Sequence, residues 1–150
     1  MNAETIVLLT ILVPIVGSFA TPLASLLSRR ARSVWAILVS AATAVLPLTL
    51  IPLALQGGEL VVRKSLALGL DFVLIIDPLS IFMAGVSSFV GCLIVVYSVG
   101  YIHEEENQNE YYLMVLLFIG AMMGLVFSGN LIFLYLFWEI IAISCWRLIG

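Results

Sequence analysis

The sequence is short of charged side chains, and this scarcity excludes most classes of soluble protein. Only 10% of its 150 residues are Asp, Glu, Lys or Arg, whereas a soluble domain averages about 25%. Hydrophobic residues make up 63% of the chain, and the mean hydropathy is +1.24. So few charges cannot cover a water-soluble globule of this size, and we therefore expect lipid to solvate the remaining apolar surface.

Several kinds of functional site are also missing from the sequence. The net charge of −3 excludes a basic nucleic-acid-binding surface. The only cysteines, Cys92 and Cys145, lie in separate apolar runs, so we interpret them as small buried thiols. No nucleotide-binding glycine loop, nucleophile elbow, His/Cys cluster or catalytic triad is present. We therefore expect no metal, no cofactor and no active site within the chain itself.

Five apolar segments approach the roughly 20 residues that a membrane-spanning helix needs. They cover residues 4–27, 33–56, 78–102, 111–128 and 131–149. Because a bilayer offers the backbone no hydrogen-bond partners, such runs are expected to be helices. The first run lacks a basic n-region and is longer than a signal-peptide core, so we expect it to be retained. The predicted fold is an all-α integral membrane protein with about five transmembrane helices.

The segment between the second and third predicted helices has a different composition. Residues 59–76 are half polar and rich in Val and Leu, which predicts a short extended or hairpin-like segment at the membrane surface. Asp77 and Pro78 are typical of a helix start. The chain is therefore expected to comprise two helices in 1–56, a surface loop or hairpin in 57–77, and three helices in 78–150.

The distribution of basic residues favours an N-terminus outside the cell. Three arginines within residues 29–32 form a predicted turn between the first two helices, and they would lie inside together with Arg147. Arg63 and Lys64 would lie outside. Acidic residues contribute little to this rule. We expect a multi-pass protein of the plasma or inner membrane.

Glu139 is the most informative single residue, because it lies near the middle of the fifth apolar run. A carboxylate at mid-bilayer depth costs roughly 3 kcal/mol or more on insertion scales, so it must face protein or water. Burial favours its protonated form, and a nearby cation favours its ionised form. Glu139 is thus a candidate proton-relay group; the alternative is a neutral acid that is hydrogen-bonded to another helix.

Other residues are candidates for lining a proton path near Glu139. Tyr135 lies one turn earlier on nearly the same helix face, where it either donates a hydrogen bond or packs. Arg147 lies well off that direction, and it either extends to the membrane interface or acts as a mobile cation near the path. His103, beside an acidic run, either shuttles protons at a membrane mouth or is a surface residue without a role.

Small residues form lines along two further predicted helices. In the third helix the line either packs against a neighbouring helix or edges a water-filled path, with Ser87 and Ser98 as candidate lining residues. In the fourth helix the line predicts only that another helix lies there. The two sets are Ser80, Ser87, Gly91 and Ser98, and Gly120, Gly124 and Ser128.

An ordered series of motifs in the second half of the chain points to a known family. The motifs are Asp77-Pro78-Leu79-Ser80, Tyr97-Ser98-Val99-Gly100-Tyr101, Tyr111-Tyr112, Ser128-Gly129-Asn130-Leu131, Phe137-Trp138-Glu139 and Leu148-Ile149-Gly150. Over about residues 60–150 this order resembles the N-terminal part of the antiporter-like proton-translocating subunits. These subunits occur in respiratory complex I, Mrp-type cation/proton antiporters and membrane-bound hydrogenases.

The resemblance implies that Glu139, the glutamate of the Trp-Glu pair on the fifth helix, takes part in proton translocation. In the family a lysine on a later broken helix partners this glutamate, but the only lysine here is Lys64 in a loop. Another membrane subunit is therefore expected to supply the lysine helices. Arg147 departs from the family pattern. The chain is expected to be a fragment, a split subunit or a truncated relative.

The expected function follows from this resemblance. It is a proton or cation/proton translocating membrane subunit, or its N-terminal piece, in a redox-driven pump or antiporter complex. The chain would then be a non-catalytic part of a proton-translocating oxidoreductase resembling NADH dehydrogenase or hydrogenase, or of an antiporter. The alternatives are a non-pumping membrane anchor of such a complex and a self-contained small transporter. The sequence separates neither the type of complex nor proton from sodium.

Overall fold

The computed structural model describes residues 2–65, 71–102 and 107–149. Within these ranges five helices are long and apolar enough to cross a membrane, and a two-stranded sheet lies between the second and third of them. The prediction of about five helices and one hairpin-like segment is confirmed. In chain order the elements are α1 Ala3–Leu27, α2 Arg29–Leu48, α3 Ile51–Leu55, β1 Leu60–Ser65, β2 Asp71–Ile76, α4 Pro78–Tyr101, α5 Gln108–Phe127 and α6 Leu131–Ile149.

The second membrane span, Arg29–Leu55, begins four residues earlier than the sequence predicts, and its helix is broken after Leu48. The Ser28 side chain caps α2 by accepting a hydrogen bond from the Ala31 amide at 3.0 Å. The three arginines expected in a turn therefore belong to the first helical turn. The helix ends at Leu48 because Pro52 has no N–H to donate to the Leu48 carbonyl, and its ring would clash there. The short α3 continues after this break.

The β1–β2 hairpin packs one strand on the helices and leaves the other outside. The strands pair antiparallel, from Leu60 opposite Ile76 to Ser65 opposite Asp71. Leu74 and Ile76 of β2 are fully buried, whereas nearly all of β1 is exposed. Alternate residues of a strand point to opposite faces, so β2 turns one apolar face towards the helices.

The start of α4 follows the pattern expected for Asp77 and Pro78. The Asp77 carboxylate accepts a hydrogen bond from the Ser80 amide at 2.6 Å, and the Ser80 hydroxyl accepts one from the Asp77 amide at 2.9 Å. This reciprocal capping box satisfies two backbone donors that a helix start would otherwise leave free. The helix direction is thereby fixed where the hairpin meets the bundle.

The connections lie alternately at two ends of the bundle. At the hairpin end, Lys64 pairs with Glu4 at 2.8 Å, and the Gly129 amide donates to the Val73 carbonyl at 2.8 Å. At the opposite end, which we call the arginine end, residues 29–32 lie close to residues 108–112, and Arg147 pairs with Glu110. Successive long helices therefore cross the bundle in opposite directions.

Helix α5 occupies the centre of the bundle, where it contacts α1, α2, α4 and α6. It begins three residues before the predicted start, at Gln108. Gln108 and Asn109 are polar residues that resemble a loop in the sequence, but both belong to α5. Their side-chain oxygens accept hydrogen bonds from the Arg32 guanidinium. Close helix contacts depend on glycine: the Gly17 Cα faces the Val39 side chain, and the Gly91 Cα faces the Ile119 side chain.

Candidate functional site: the exposed face of α6

Glu139 lies near the middle of α6, and its side chain is exposed. The helix packs on α5 along one side only, and Ser144 is its single buried residue in the described part of the chain. The face that carries Glu139 also carries exposed Tyr135 and Trp146, which are 60% and 70% exposed. No described helix of this chain covers that face.

The immediate polar neighbour of Glu139 is Tyr135, one helical turn earlier. The Tyr135 hydroxyl lies close enough to the Glu139 carboxylate for the two groups to interact. Residues four apart lie one above the other on a helix, so α6 itself brings the two groups together. The ion pairs found among the described residues are Lys64–Glu4 and Arg147–Glu110, and neither involves Glu139.

Arg147 is engaged at the arginine end of the bundle and not near Glu139. Its guanidinium makes a two-pronged contact with the Glu110 carboxylate, with Nη2 to Oε2 at 2.7 Å and a second bond from Nε to Oε1. Both side chains remain partly exposed to solvent. Arg147 therefore joins the last turn of α6 to the first turn of α5.

The serines of α4 have different surroundings. Ser98 is buried, and its hydroxyl lies 2.7 Å from the Tyr111 hydroxyl and 2.6 Å from the Ile94 carbonyl oxygen. The fully buried line along α4 contains Ser88, and Ser87 lies beside that line. Ser98 thus contributes to the α4–α5 contact.

Ser87 lines a cavity of about 570 Å³ between α4, α5 and the C-terminal part of α6. The lining is almost entirely apolar, and its few polar groups are the hydroxyls of Ser87 and Tyr111 and the Cys145 thiol. Neither Ser98 nor Glu139 lines this cavity. The structure therefore does not gather the predicted path-lining residues into one site, and His103 lies outside the described residues.

The glycine line of α5 faces two different helices. The Gly120 Cα lies against Ile15 and Pro14 of α1, and the Gly124 Cα lies against the Phe137 ring of α6. The prediction that other helices pack on this line is confirmed. Because the Phe137 contact holds α6 by one side, it also leaves the Glu139 face directed away from α5.

One polar cluster was missed by sequence reasoning. Arg32 is only 5% exposed, its guanidinium bonds to the side chains of Asn109 and Gln108, and it stacks 5.5 Å from the Tyr112 ring centroid. The Gln-Asn pair at the start of an apolar helix was the available signal. No group of three His, Cys, Asp or Glu side chains suited to a metal occurs in the part of the chain that is described.

Known proteins resemble this chain in sequence and in fold. The family model described as the N-terminus of chain 5 of NADH-ubiquinone oxidoreductase (complex I) matches residues 64–112. Na⁺/H⁺ antiporter subunit A1 of Staphylococcus aureus strain JH9 is 33% identical over 147 residues, which cover 95% of this chain and 18% of that protein. The subunit A1 of strain Newman gives the same values.

The chain is a relative of the antiporter-like membrane subunits. It corresponds to their N-terminal part, and it spans about a fifth of the length of the curated relatives it matches. A solved archaeal structure, the membrane-bound sulfane sulfur reductase, shares the fold of this antiporter-like chain with a TM-score of 0.84 at 17% identity. That match covers 93% of this chain and 29% of the other.

Proposed function

We propose that this antiporter-like chain takes part in moving protons, or cations in exchange for protons, across a membrane as part of a multi-subunit complex. Glu139 is the proton-relay group in this proposal. The observation that carries it is a carboxylate midway along a membrane-spanning helix, on a face that no described helix of the chain covers. Its relatives are a subunit of a Na⁺/H⁺ antiporter and, by fold, a respiratory membrane complex.

The position of Glu139 requires a further component. A carboxylate at this depth persists only where protein or water solvates it. Since α5 occupies the opposite side of α6, we propose that a further membrane helix or subunit, with the water it admits, solvates Glu139. The resemblance suggests a lysine on such a helix, and we propose that a neighbouring membrane subunit or segment supplies it.

Proton transfer at Glu139 then follows from simple electrostatics. A cation that approaches the carboxylate stabilises its ionised form, and withdrawal of the cation favours proton uptake. Tyr135 lies one helical turn before Glu139 on the same exposed face, so its hydroxyl is placed to donate a hydrogen bond to the carboxylate during proton transfer. Redox energy or an ion gradient supplied by the partners would move the cation.

The decisive experiment replaces Glu139 with glutamine, which keeps the size of the side chain and removes its proton. We expect Glu139→Gln to assemble normally and to lower translocation by at least about tenfold, since positioned proton-transfer groups contribute about 10²–10⁴-fold to a rate. Translocation is measured in membrane vesicles that contain the complete complex, with a pH-sensitive dye after addition of Na⁺ or of an electron donor.

Two variants control this experiment. Glu59→Gln makes the same chemical change at an exposed position beside the hairpin, and it should translocate like the wild type. Glu139→Asp keeps a titratable group and should retain part of the activity. Wild-type translocation by an assembled Glu139→Gln complex would refute the relay role and leave the membrane-anchor alternative.

The anchor alternative needs its own test, because the glycines of α5 do not separate it from the relay. Gly120 and Gly124 pack against helices of the same chain, so Leu at either position would disturb the chain under both hypotheses. The discriminating result is the combination of assembly and activity in Glu139→Gln. The anchor hypothesis predicts that the Glu139→Gln variant assembles and translocates like the wild type.

We also propose that the N-terminus and the hairpin face the outside of the plasma membrane and that the arginine end faces the cytoplasm. The cluster of Arg29, Arg30 and Arg32 supports this orientation. In a chain without Cys92 and Cys145, a membrane-impermeant thiol reagent should label Ser65→Cys in intact cells. It should label Asn107→Cys only after permeabilisation, and the reverse pattern would invert the topology.

A further inference from the structure

A pocket of about 320 Å³ opens at the arginine end of the bundle, away from Glu139. It lies between the first turn of α2, the last turn of α4 and the first turns of α5. Its polar lining consists of Arg29, Arg30, Arg32, Ser33, Gln108 and Tyr112. Three of the six basic residues of the whole chain therefore meet at one small concave site.

Arg32 forms the inner wall of this pocket, and one of its donors has no acceptor. The two terminal nitrogens of its guanidinium donate to Asn109 and Gln108. Its Nε is buried and makes no hydrogen bond, and it is the only such side-chain atom found in residues 2–65, 71–102 and 107–149. A buried donor without an acceptor is costly, so the positive charge of Arg32 is only partly compensated by its neutral partners.

The position of the arginines on the helix points to the same chemistry. Cations in the first turn of a helix oppose its dipole, whereas an anion there is stabilised by the dipole and by free N–H groups. The ion pairs seen among the described residues lie elsewhere, at Glu4 and Glu110. An anion bound between Arg29, Arg30 and Arg32 would compensate both the cluster of positive charge and the helix dipole.

The rest of the lining indicates where the anion comes from. Val34, Ile37 and Val99 continue the pocket along the apolar surfaces of α2 and α4, which are membrane-spanning helices. We propose that this pocket binds the phosphodiester headgroup of an anionic phospholipid, with the start of its acyl chains on the apolar part of the lining. Basic pockets at the ends of transmembrane helices favour such headgroups.

The test measures lipid affinity for the delipidated complex in detergent by native mass spectrometry. The probes are dioleoylphosphatidylglycerol, dioleoylphosphatidylcholine and inorganic phosphate. We expect phosphatidylglycerol to bind in preference to phosphatidylcholine, and Arg29→Gln with Arg30→Gln to weaken phosphatidylglycerol binding by about fivefold for each arginine removed. Both arginines lie at the pocket mouth, so this variant avoids disturbing the buried Arg32.

A matched control removes two positive charges from the other end of the bundle. Arg63→Gln with Lys64→Gln changes exposed hairpin residues and should leave phosphatidylglycerol binding unchanged. Arg32→Lys should weaken binding while it retains the charge, because a lysine cannot present the guanidinium geometry.

Three results would overturn the proposal. The first is equal binding of phosphatidylglycerol and phosphatidylcholine by the wild type. The second is competition by inorganic phosphate at concentrations equal to the lipid, which would make the pocket a site for free anions. The third is that the wild type binds no phosphatidylglycerol, whereas the triple variant Glu104→Gln, Glu105→Gln, Glu106→Gln binds it. That result would mean that the acidic run of the chain itself neutralises the arginines.

Discussion

Helices α5 and α6 are adjacent and similarly apolar, yet their surroundings are opposite. Ten of the 20 residues of α5 are buried, including Gly120, Ala121 and Gly124 on its contact faces. Among the residues of α6, Ser144 alone is buried. The difference follows from side-chain size, because small residues let four neighbouring helices approach α5, whereas large side chains such as Trp138 cover most of α6. Apolar composition alone therefore does not identify the central helix of a membrane bundle.

Helix α6 is fixed at three points along one side. Asn130 links its start to the hairpin, Phe137 packs on Gly124 near its middle, and Arg147 links its end to Glu110. These contacts hold one side of α6 on the rest of the chain and leave the Glu139 face uncovered. The comparison therefore indicates that α5 organises the described part of the chain, whereas α6 leaves most of its surface uncovered. The following variants test each contact in order of expected effect.

The largest effect on stability is expected at Gly124. Gly124→Ala places a methyl group against the Phe137 ring, so α5 and α6 must separate or the ring must leave its position. We expect a loss of about 1–3 kcal/mol in the free energy of unfolding. The measurement is unfolding by sodium dodecyl sulfate in mixed micelles, followed by circular dichroism.

Gly85→Ala is the matched control for this change. Gly85 lies in α4, and an added Cβ would meet no atom within 4 Å. We expect its free energy of unfolding to stay within about 1 kcal/mol of the wild type. If the two alanine variants unfold alike, the close contact at Gly124 does not hold α6 on α5.

The next effect is expected at the hairpin end, where Asn130 makes two contacts. Its side-chain oxygen accepts from the Ile132 amide at 2.9 Å, and its Nδ2 donates to the Asp71 carbonyl at 2.9 Å. Asn130→Ala should cost about 1–2 kcal/mol in the free energy of unfolding, because it removes a helix cap and a link to β2.

The control for Asn130 is another asparagine at a helix start. Asn2 is the N-cap residue of α1, but its side chain makes no capping hydrogen bond. Asn2→Ala should therefore unfold like the wild type. If Asn130→Ala and Asn2→Ala lose the same free energy of unfolding, the side-chain hydrogen bonds of Asn130 do not stabilise the protein.

Much of this architecture could be predicted from the sequence, for reasons that the structure makes clear. Lipid forces long apolar runs to be helices, so 131–149 was predicted with the observed bounds. The Asp77-Pro78 start was predictable because capping depends on local chemistry. The starts of α2 and α5 were wrong for one shared reason. Arg32, Gln108 and Asn109 look like loop residues, but they satisfy one another inside the bundle.

The candidate site was less predictable, because helix periodicity shows which side chains share a face but not which other helix contacts that face. The sequence placed Tyr135 and Glu139 on one face, and the proximity of their side chains follows from that spacing. It could not assign Arg147, whose partner Glu110 is 37 residues away in the chain. Along α4 the small-residue line was predicted on the buried side, since Ser80, Gly91 and Ser98 are buried, whereas Ser87 lies at the edge of that side and lines the cavity. Helix periodicity does not say which neighbour each residue of such a line meets.

The smallest effect is expected at the arginine end, for the contact between Arg147 and Glu110. Exposed ion pairs contribute about 0–1 kcal/mol, even where the geometry is two-pronged, because water screens both charges. Arg147→Gln, Glu110→Gln and the double variant form a thermodynamic cycle whose coupling energy should be below about 1 kcal/mol and should shrink in high salt. A coupling energy well above this, or one that salt leaves unchanged, would mean that a partner shields the pair from water. In that case the Arg147–Glu110 pair would stabilise the α5–α6 contact as strongly as the packing at Gly124 does. Helices α5 and α6 would then differ only in the uncovered face that carries Glu139.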